Sequence, residues 1–521
     1  MKTDEKRISR RSFLQAAGLL TLAGGLAACG STGSSGSSGA SSAASGTEYS
    51  LENAVTAAFT DSGITLSPAD ASGCTADGTA LTITAAGTYV VSGTCADGTI
   101  QVEKETEDVV LVLDGLTLTG TATAPLVCGK ASGVTILAAD GTENTLADTE
   151  ANNKENENAD EDAENAVLKC KDGAQVVLCG SGTLNITAAG KNGIKSGTEQ
   201  DGREASLTIR ELTLNIDAPV NDAINAEQQL DVESGTLNIA AGDDAIHSDL
   251  YLNVGADGTD GPTIVVSTCY EGLEAAELNI WSGDIDITAT DDCLNAANSD
   301  LGDYAFVMNI MGGSIRACST EGDGFDSNGT LTISGGSIAV WTANTADNQP
   351  LDADGLITVT GGTILAAGGS AGMGYSIQAS QPYVTFGGSR ENLGLAAEDN
   401  LSICSADGTA VYTAAAACGT NYVFFSAPEL TEGDSYTLTA NGSEAATAQA
   451  QTGEATTGMS GGPGGQAPGD GTAPADGQTP PDGQTPPDGK TPPTDGQRPA
   501  GGQPPQDAGS DAASSGSTTA A

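Results

Sequence analysis

A short pattern of apolar and polar positions recurs along the chain between residues 182 and 354. Each copy has alternating apolar residues, such as Leu184 and Ile186, then an acidic or amide residue, a small residue, an apolar residue and another polar residue. This alternation predicts β-strands with one buried face. The single apolar residues, here called the anchors, are Ile194, Ile224, Ile246, Leu273, Leu294, Phe325 and Leu351. Their spacings of 30, 22, 27, 21, 31 and 26 residues indicate a solenoid with insertions.

A second strand precedes most copies of the pattern, and several of these strands end in glycine turns such as Gly312–Gly313 and Gly335–Gly336. Strand, glycine turn, strand, acidic turn and short strand make one coil of a parallel β-helix. Such coils stack about 4.8 Å apart. A β-sandwich or propeller would not keep like residues in register across such unequal spacings. Aromatic residues are only 4% of the chain, which suits a narrow core.

Changes in composition divide the chain into six predicted segments. Residues 1–28 are an export signal, 29–49 a flexible tether, 50–105 a β-rich N-terminal cap and 106–382 the parallel β-helix. Residues 383–450 form a C-terminal β region. Residues 451–521 are rich in Gly, Pro, Thr, Asp and Gln, with Thr479–Gln484 nearly repeated at Thr485–Lys490, and predict a disordered tail.

The first residues resemble a bacterial export address. Ser9–Leu14 contains a twin arginine, although Gln15 stands where a lysine is common, and Leu26–Cys29 resembles a lipoprotein cleavage box. We therefore expect Cys29 to carry the lipid anchor and the protein to face outward from the bacterial cell membrane. An uncleaved anchor or a secreted protein is the alternative.

The charge of the chain narrows the range of partners. Residues 1–28 hold five of the 18 basic and two of the 69 acidic residues, which leaves the exported chain at −54. This charge argues against nucleic acid and against an anionic membrane surface as partners, so we expect membrane contact through the lipid alone. We also expect a monomer. The cysteines contain no C-x-x-C spacing, which disfavours zinc and thioredoxin-like chemistry.

The polar residues that flank the anchors predict a metal site. Two carboxylates about 4.8 Å apart on adjacent coils repel by about 3.5 kcal/mol at a dielectric of about 20. Calcium would relieve this, because it takes about six to eight oxygen ligands, and it suits many variable ligands better than magnesium. Solvated turn carboxylates are the alternative. The predicted ligands are Asp222, Asp243, Asp244, Glu271, Asp291, Asp292, Asp323, Asp326 and Asp352.

Several phrases together resemble a family of bacterial cell-surface carbohydrate-binding proteins. They include Gly235-Thr236-Leu237-Asn238-Ile239 followed by Asp244-Ala245-Ile246, and Leu351–Gly355, within a match from about residue 60 to 445. The resemblance implies a right-handed parallel β-helix, calcium on the acidic edge, and binding of plant cell-wall polysaccharides, notably polygalacturonate (pectin) and cellulose. More distantly the chain looks like the calcium-dependent family 9 polysaccharide lyases. The acidic stretch 149–164 departs from the core pattern.

The sequence is compatible with three functions. A non-catalytic binding protein would meet acidic sugars through calcium and use Arg316, Trp341 and His247 for sugar contacts. Trp341 would be either an exposed stacking platform or packed beneath a loop. A pectate-type lyase would add a basic residue near the acidic edge or the outward column, with Lys191, Lys195 and Arg316 as candidates. A surface adhesin or spacer would need neither. Outward residues for sugar binding are expected in one column, made of Asn185, Asn215, Asn238, Asp286 and Arg316.

Overall fold

The computed structural model describes residues 49–156, 159, 161–343, 348–369, 376–387 and 393–456. All of the regular secondary structure in these ranges is β-strand, so the predicted all-β class is confirmed. No helix within these ranges has the length and apolar character needed to cross a membrane. Cys29, the export signal, most of the tether and nearly all of the predicted tail lie outside the described residues.

The strands follow one another along the whole described chain. The first group is β1 Val55–Thr60, β2 Gly63–Ser67, β3 Cys74–Asp77, β4 Ala80–Ile83, β5 Gly87–Cys95, β6 Thr99–Val102, β7 Val109–Gly120, β8 Leu126–Cys128, β9 Gly133–Ala138, β10 Glu143–Asp148, β11 Ala166–Cys170, β12 Gln175–Gly180, β13 Thr183–Thr187 and β14 Asn192–Ser196. The second is β15 Ser206–Ile209, β16 Thr213–Ala218, β17 Ile224–Ala226, β18 Gln229–Val232, β19 Thr236–Ala241, β20 Ile246–Val254, β21 Thr263–Thr268, β22 Leu273–Ile280, β23 Asp284–Ala289, β24 Leu294–Ala296, β25 Val307–Ile310 and β26 Ser314–Ser319. The third is β27 Phe325–Ser327, β28 Thr330–Ile333, β29 Ser337–Thr342, β30 Ile357–Val359, β31 Thr363–Gly368, β32 Ser376–Gly387, β33 Asn400–Ser405, β34 Ala410–Ala415, β35 Tyr422–Ser426, β36 Ser435–Ala440, β37 Ser443–Gln449 and β38 Gln451–Thr456.

The anchors stack in one parallel ladder, here called the anchor ladder. It runs through β6, β8, β11, β14, β17, the start of β20, the start of β22, β24 and β27, and a single bridge joins Phe325 to Leu351. All seven anchors predicted from the sequence lie in register and are fully buried. The apolar anchors therefore set the relative position of successive repeats, because a shift of one residue would turn them out of the core.

Two further parallel ladders use the remaining strands of each repeat. The second ladder contains β9, β12, β15, β18, the ends of β20 and β22, and then β25, β28, β30 and β32. The third contains the end of β7 and then β10, β13, β16, β19, β21, β23, β26, β29 and β31. One buried apolar cluster joins side chains from all three ladders, such as Ile194, Leu207 and Leu184.

The two ends of the described chain contain antiparallel strands. At the N-terminal end β1 pairs with β2 and β3 with β4, while β1 and β4 already pair in parallel with β5 and β6 inside residues 50–105. At the C-terminal end β33, β34, β36 and β37 form a separate antiparallel sheet, and β35 pairs with β31 and β32.

Trp341 corrects the expectation of an exposed aromatic platform. Its side chain leaves the main core, as the alternation in β29 predicts, but only 4% of the residue is exposed. It packs in a second apolar cluster with Leu365 from the third ladder and Leu401 and Leu438 from the antiparallel sheet. The exposed alternative was wrong because the sheet that covers Trp341 is formed by residues about 60 to 100 positions later in the chain.

Candidate metal site along the anchor ladder

Backbone hydrogen bonds place the acidic residues that precede the anchors above one another. Each amide that follows an acidic residue donates to the carbonyl of the acidic residue of the next repeat. The steps include Ala223 to Asp244 at 3.0 Å, Ala245 to Glu271 at 2.9 Å and Gly272 to Asp292 at 2.9 Å. We call the resulting set, which consists of Asp222, Asp244, Glu271, Asp292 and Asp323, the first column. Gln349 follows it, because Gly324 donates to Gln349.

The polar residues that follow the anchors form a parallel second column. It consists of Asn225, His247, Glu274, Asn295, Asp326 and Asp352, in register through the anchor ladder. The two columns touch: Asn225 Nδ2 donates to Asp222 Oδ2 at 2.6 Å, and Asn295 Nδ2 donates to Glu271 Oε2 at 2.9 Å. The sequence pattern of each turn thus becomes two adjacent rows of oxygen-rich side chains.

Three groups of side chains bring possible ligand atoms within 4.8 Å of one another. They are Asp222 with Asp243 and Asp244, Asp244 with His247 and Glu274, and Asp323 with Asp326 and Asp352. Eight of the nine predicted metal residues lie in the two columns or, for Asp243, in the residue before them. The ninth, Asp291, also lies one residue before the first column. Its amide donates to Tyr270 O, and the Tyr270 amide donates to Asp243 O, so Tyr270 lies between Asp243 and Asp291.

Burial makes these carboxylates resist ionisation. It raises the pKa of Asp244 and Asp323 to about 7, of Glu271 and Asp292 to about 8, and of Asp326 to about 6. Neighbouring carboxylates raise the pKa further, as Glu274 does for Glu271 and Asp326 does for Asp292. The charged forms are therefore costly unless a cation lies among them.

His247 supplies a positive charge to one end of the columns. Its Nδ1 lies 3.0 Å from Asp244 Oδ2 and 2.7 Å from Glu274 Oε2, and its Nε2 lies 3.0 Å from Asp249 Oδ1. Burial opposes protonation, but these three hydrogen bonds outweigh it and raise the pKa of His247 to about 12. A protonated imidazole donates from both nitrogens and cannot ligate a metal, so His247 acts as a built-in cation beside Asp244.

The other end of the columns has no such partner. Among the described residues, no Lys, Arg or His side chain pairs with Glu271, Asp292, Asp323, Asp326 or Asp352. Asn295 lies in this stretch with 7% exposure, and within the described ranges its buried Oδ1 has no hydrogen-bond donor. A buried acceptor among acceptors is costly unless a cation or a donor reaches it. The donor set of carboxylates plus one amide oxygen fits calcium.

The structure places the predicted sugar contacts on different faces. Arg316 lies on the third ladder, 71% exposed, with Nε 3.8 Å from Asp286 Oδ2, and it does not belong to either column. His247 lies within the second column, and Trp341 is covered. Lys195 borders the columns, but its Nζ donates to Asn225 Oδ1 at 2.8 Å and pairs with Glu227 at 3.2 Å.

Tyr270 is an exposed aromatic residue that the sequence analysis missed. It directly precedes Glu271, stacks between Asp243 and Asp291 through backbone hydrogen bonds, and is 46% exposed. A hydrogen bond to Asp291 raises the pKa of its phenol to about 12. Its position one residue before the first column was the available signal, because the neighbouring repeats carry Asp243 and Asp291 there.

Comparisons with known proteins found a family model, a relative and a solved structure that resemble this chain. The family model described as carbohydrate-binding domain-containing protein matches residues 77–374. A carbohydrate-binding domain-containing protein of Acetivibrio thermocellus is 35% identical over 129 residues, which cover 25% of this chain and 44% of that relative. The chain thus spans less than half of the relative's length. A solved polysaccharide lyase-like protein from C. thermocellum, a gadolinium derivative, is similar at 22% identity and TM-score 0.36, over 58% of this chain and 96% of that one.

Proposed function

The chain belongs to the family of carbohydrate-binding domain-containing proteins, and we propose that it binds a uronate-bearing polysaccharide through calcium without cleaving it. Polygalacturonate, as in pectin, is the ligand class proposed first, and cellulose the second. The observation that carries the proposal is that, among the described residues, the carboxylates of Glu271, Asp292, Asp323, Asp326 and Asp352 and the acceptor Asn295 Oδ1 lack a protein cation.

Calcium would be held in the part of the columns that His247 does not neutralise. Asp292, Asp323 and Asp326 would supply carboxylate oxygens there, and Asn295 Oδ1 an amide oxygen. A bound cation offers the attraction for anionic sugars that the net charge of the protein denies them. Tyr270, exposed beside the same edge, would offer its ring to the apolar face of a sugar. Such a site binds and orients a chain but requires no catalytic base.

Two structural proposals accompany this function. We propose that the three parallel ladders wind as a right-handed parallel β-helix, in the predicted range 106–382, which would place each column along one edge. The in-register pairing of strands from successive repeats supports this winding. We also propose that Cys29 anchors the protein by lipid to the outer face of the bacterial membrane, as a monomer. Only the sequence of residues 9–29 supports the anchor.

A pull-down on polygalacturonate tests the binding function directly. Calcium should promote retention and a chelator should release the protein, while the absorbance of unsaturated sugar products stays flat. The double variant Asp291→Asn with Asp292→Asn should weaken polygalacturonate binding about ten-fold or more and cellulose binding little. Asp257→Asn with Asp260→Asn, in the exposed turn between β20 and β21, is the matched control for charge. Equal loss on both polymers would mean that the metal only holds the repeats together.

A calcium-dependent lyase is the second candidate, because one lysine near the columns favours it. Lys169 is in register with Lys195 on the anchor ladder, and burial together with the Lys195 charge lowers its pKa. A lysine that loses its proton more easily is a better general base. Unsaturated products that disappear in Lys169→Ala, Lys195→Ala or Arg316→Ala would establish the lyase. Absence of both binding and products would leave the adhesin or spacer.

A further inference from the structure

A second polar row lies on the outer face of the third ladder. Asn215 Nδ2 donates to Asn185 Oδ1 at 2.7 Å, and Asn238 Nδ2 donates to Asn215 Oδ1 at 2.8 Å. The three residues are in register on β13, β16 and β19, and Val265 of β21 continues the row. This row is separate from the first and second columns, which follow the anchor ladder.

The asparagine row lies in a groove of about 480 Å³. A shift in register between Ile239 and Ala240 makes Ala240 pair with Thr268, which interrupts the regular pairing just beyond Asn238. Ala240 and Ser267 are small and leave the groove open, and Val265 lies in it with 40% exposure. The groove therefore offers both amide groups and an apolar surface.

The amides in this groove still have capacity for a ligand. Each primary amide has two N–H donors and an oxygen with two lone pairs, and the ladder uses one donor and one lone pair of Asn215. Sugar hydroxyls need donors and acceptors side by side, which the remaining groups supply. Adjacent rungs lie about 4.8 Å apart, which is close to, though slightly less than, the length of one pyranose ring with its linking oxygen in an extended chain. Such a chain would therefore place about one ring on each rung.

The charge of the groove distinguishes it from the acidic columns. None of the described residues that line the groove is basic, and Asp217 is its one acidic residue. The carboxylates of a uronate chain would be repelled by Asp217, because no cation in the groove offsets its charge. An uncharged chain would not be repelled. We propose that this groove binds an extended, uncharged β-linked glycan without metal, as a second binding face of the same protein. The proposal rests on the carbohydrate-binding function proposed above.

Titration of the full-length protein with cellohexaose and with a galacturonate hexamer tests this proposal. Cellohexaose affinity should be unchanged by chelator and should fall about five-fold or more in Asn215→Ala, which corresponds to one or two lost hydrogen bonds. The matched control is Asn279→Ala on the second ladder, because Asn279 donates to Asn253 at 3.1 Å and accepts from Asn309 at 2.9 Å in the same way. Asn279→Ala should leave cellohexaose affinity within two-fold. Galacturonate binding in calcium should be the same in both variants.

A second variant distinguishes loss of the binding surface from misfolding caused by Asn215→Ala. Val265→Glu changes an exposed groove residue outside the amide hydrogen bonds and should weaken cellohexaose binding several-fold. The proposal that the groove binds the glycan would be overturned if Asn215→Ala and Asn279→Ala changed cellohexaose affinity equally. It would also be overturned if neither Asn215→Ala nor Val265→Glu changed it. Binding of the galacturonate hexamer but not of cellohexaose would also overturn it while the proposed function stands. Binding of neither sugar would contradict both.

Discussion

Two kinds of polar column run along the stacked strands, and they differ in whether one side chain can both donate and accept. In the amide ladders, such as Asn253, Asn279 and Asn309, each Nδ2 donates to the Oδ1 of the preceding repeat. In the stretch from Glu271 to Asp352 most side chains can only accept when they are ionised. In-register stacking therefore supplies hydrogen-bond partners in the amide ladders, but it leaves the acidic columns in need of protons or a metal ion. His247 marks the place where the protein supplies the missing charge itself.

Removal of calcium should produce the largest difference between the two kinds of column. An ion present at about 100-fold over its Kd stabilises the folded state by about 2.7 kcal/mol. Two ions should raise Tm by on the order of 10 °C in a domain of this size. Calorimetry of the full chain with calcium and then with chelator measures the effect. Superimposable curves would reduce the columns to solvated turns.

The pH dependence of the chelated protein should follow the acidic columns. Asp244, Glu271, Asp292 and Asp323 have raised pKa values in the folded state, so their contribution is fully present below about pH 4 and is lost as pH rises through about 7 to 8. Tm in chelator should therefore fall between about pH 4 and 8, and calcium should flatten the profile. A Tm in chelator that rises over this window would contradict the buried carboxylates.

Conversion of an amide rung to an acid should break an amide ladder. Asn279→Asp removes the donor to Asn253 and sets two acceptors against each other, which should cost about 1–3 kcal/mol of unfolding free energy. Calcium should not restore this loss, because the neighbours are amides. Urea denaturation with and without calcium measures it, and Asn279→Ala separates the loss of a donor from the added charge.

The reverse conversion should have a smaller effect and the opposite sign in chelator. Asp292→Asn keeps an oxygen that can accept from the Asp323 amide, a contact of 2.7 Å, and removes one buried charge. Because Asp292 has a pKa of about 8 and is only partly ionised at neutral pH, the chelated variant should gain about 1 kcal/mol, less than the repulsion of two fully ionised carboxylates. It should also lose part of the calcium effect. Asp257→Asn serves as the exposed control, and a chelated variant less stable than the parent would contradict the repulsion.

The sequence predicted the parts of the fold that repeat within the ladders. Each anchor is a buried apolar residue with an acidic or amide residue two positions before it, so alignment of the repeats already placed Asp244 beside Glu271 and Asp292 beside Asp323. Burial of one face makes register a local property of the sequence. For the same reason the all-β class followed from the alternation of apolar and polar residues.

Contacts between distant segments could not be predicted in this way. Trp341 is covered because Leu401 and Leu438 pack against it. The salt bridges of Lys191 with Glu155 and of Lys171 with Glu164 depend on the acidic stretch 149–164, which lies outside the repeat. In the sequence, Asn295 is simply one more polar residue that follows an anchor. In the structure, Asn295 Nδ2 donates a hydrogen bond to Glu271, while its buried Oδ1 has no donor among the described residues. Only the three-dimensional positions show this.

A crystal structure of the protein grown with calcium, with an anomalous difference map, tests the central claim most directly. We expect two or more ions along the columns, with Asp292, Asp323 or Asp326 among the ligands and Asn295 Oδ1 bound to one of them. Asp257 and Asp260 in the exposed turn should remain without an ion. A map with no anomalous peak between Glu271 and Asp352 would contradict the account, because those buried carboxylates would then be neutralised by protons alone.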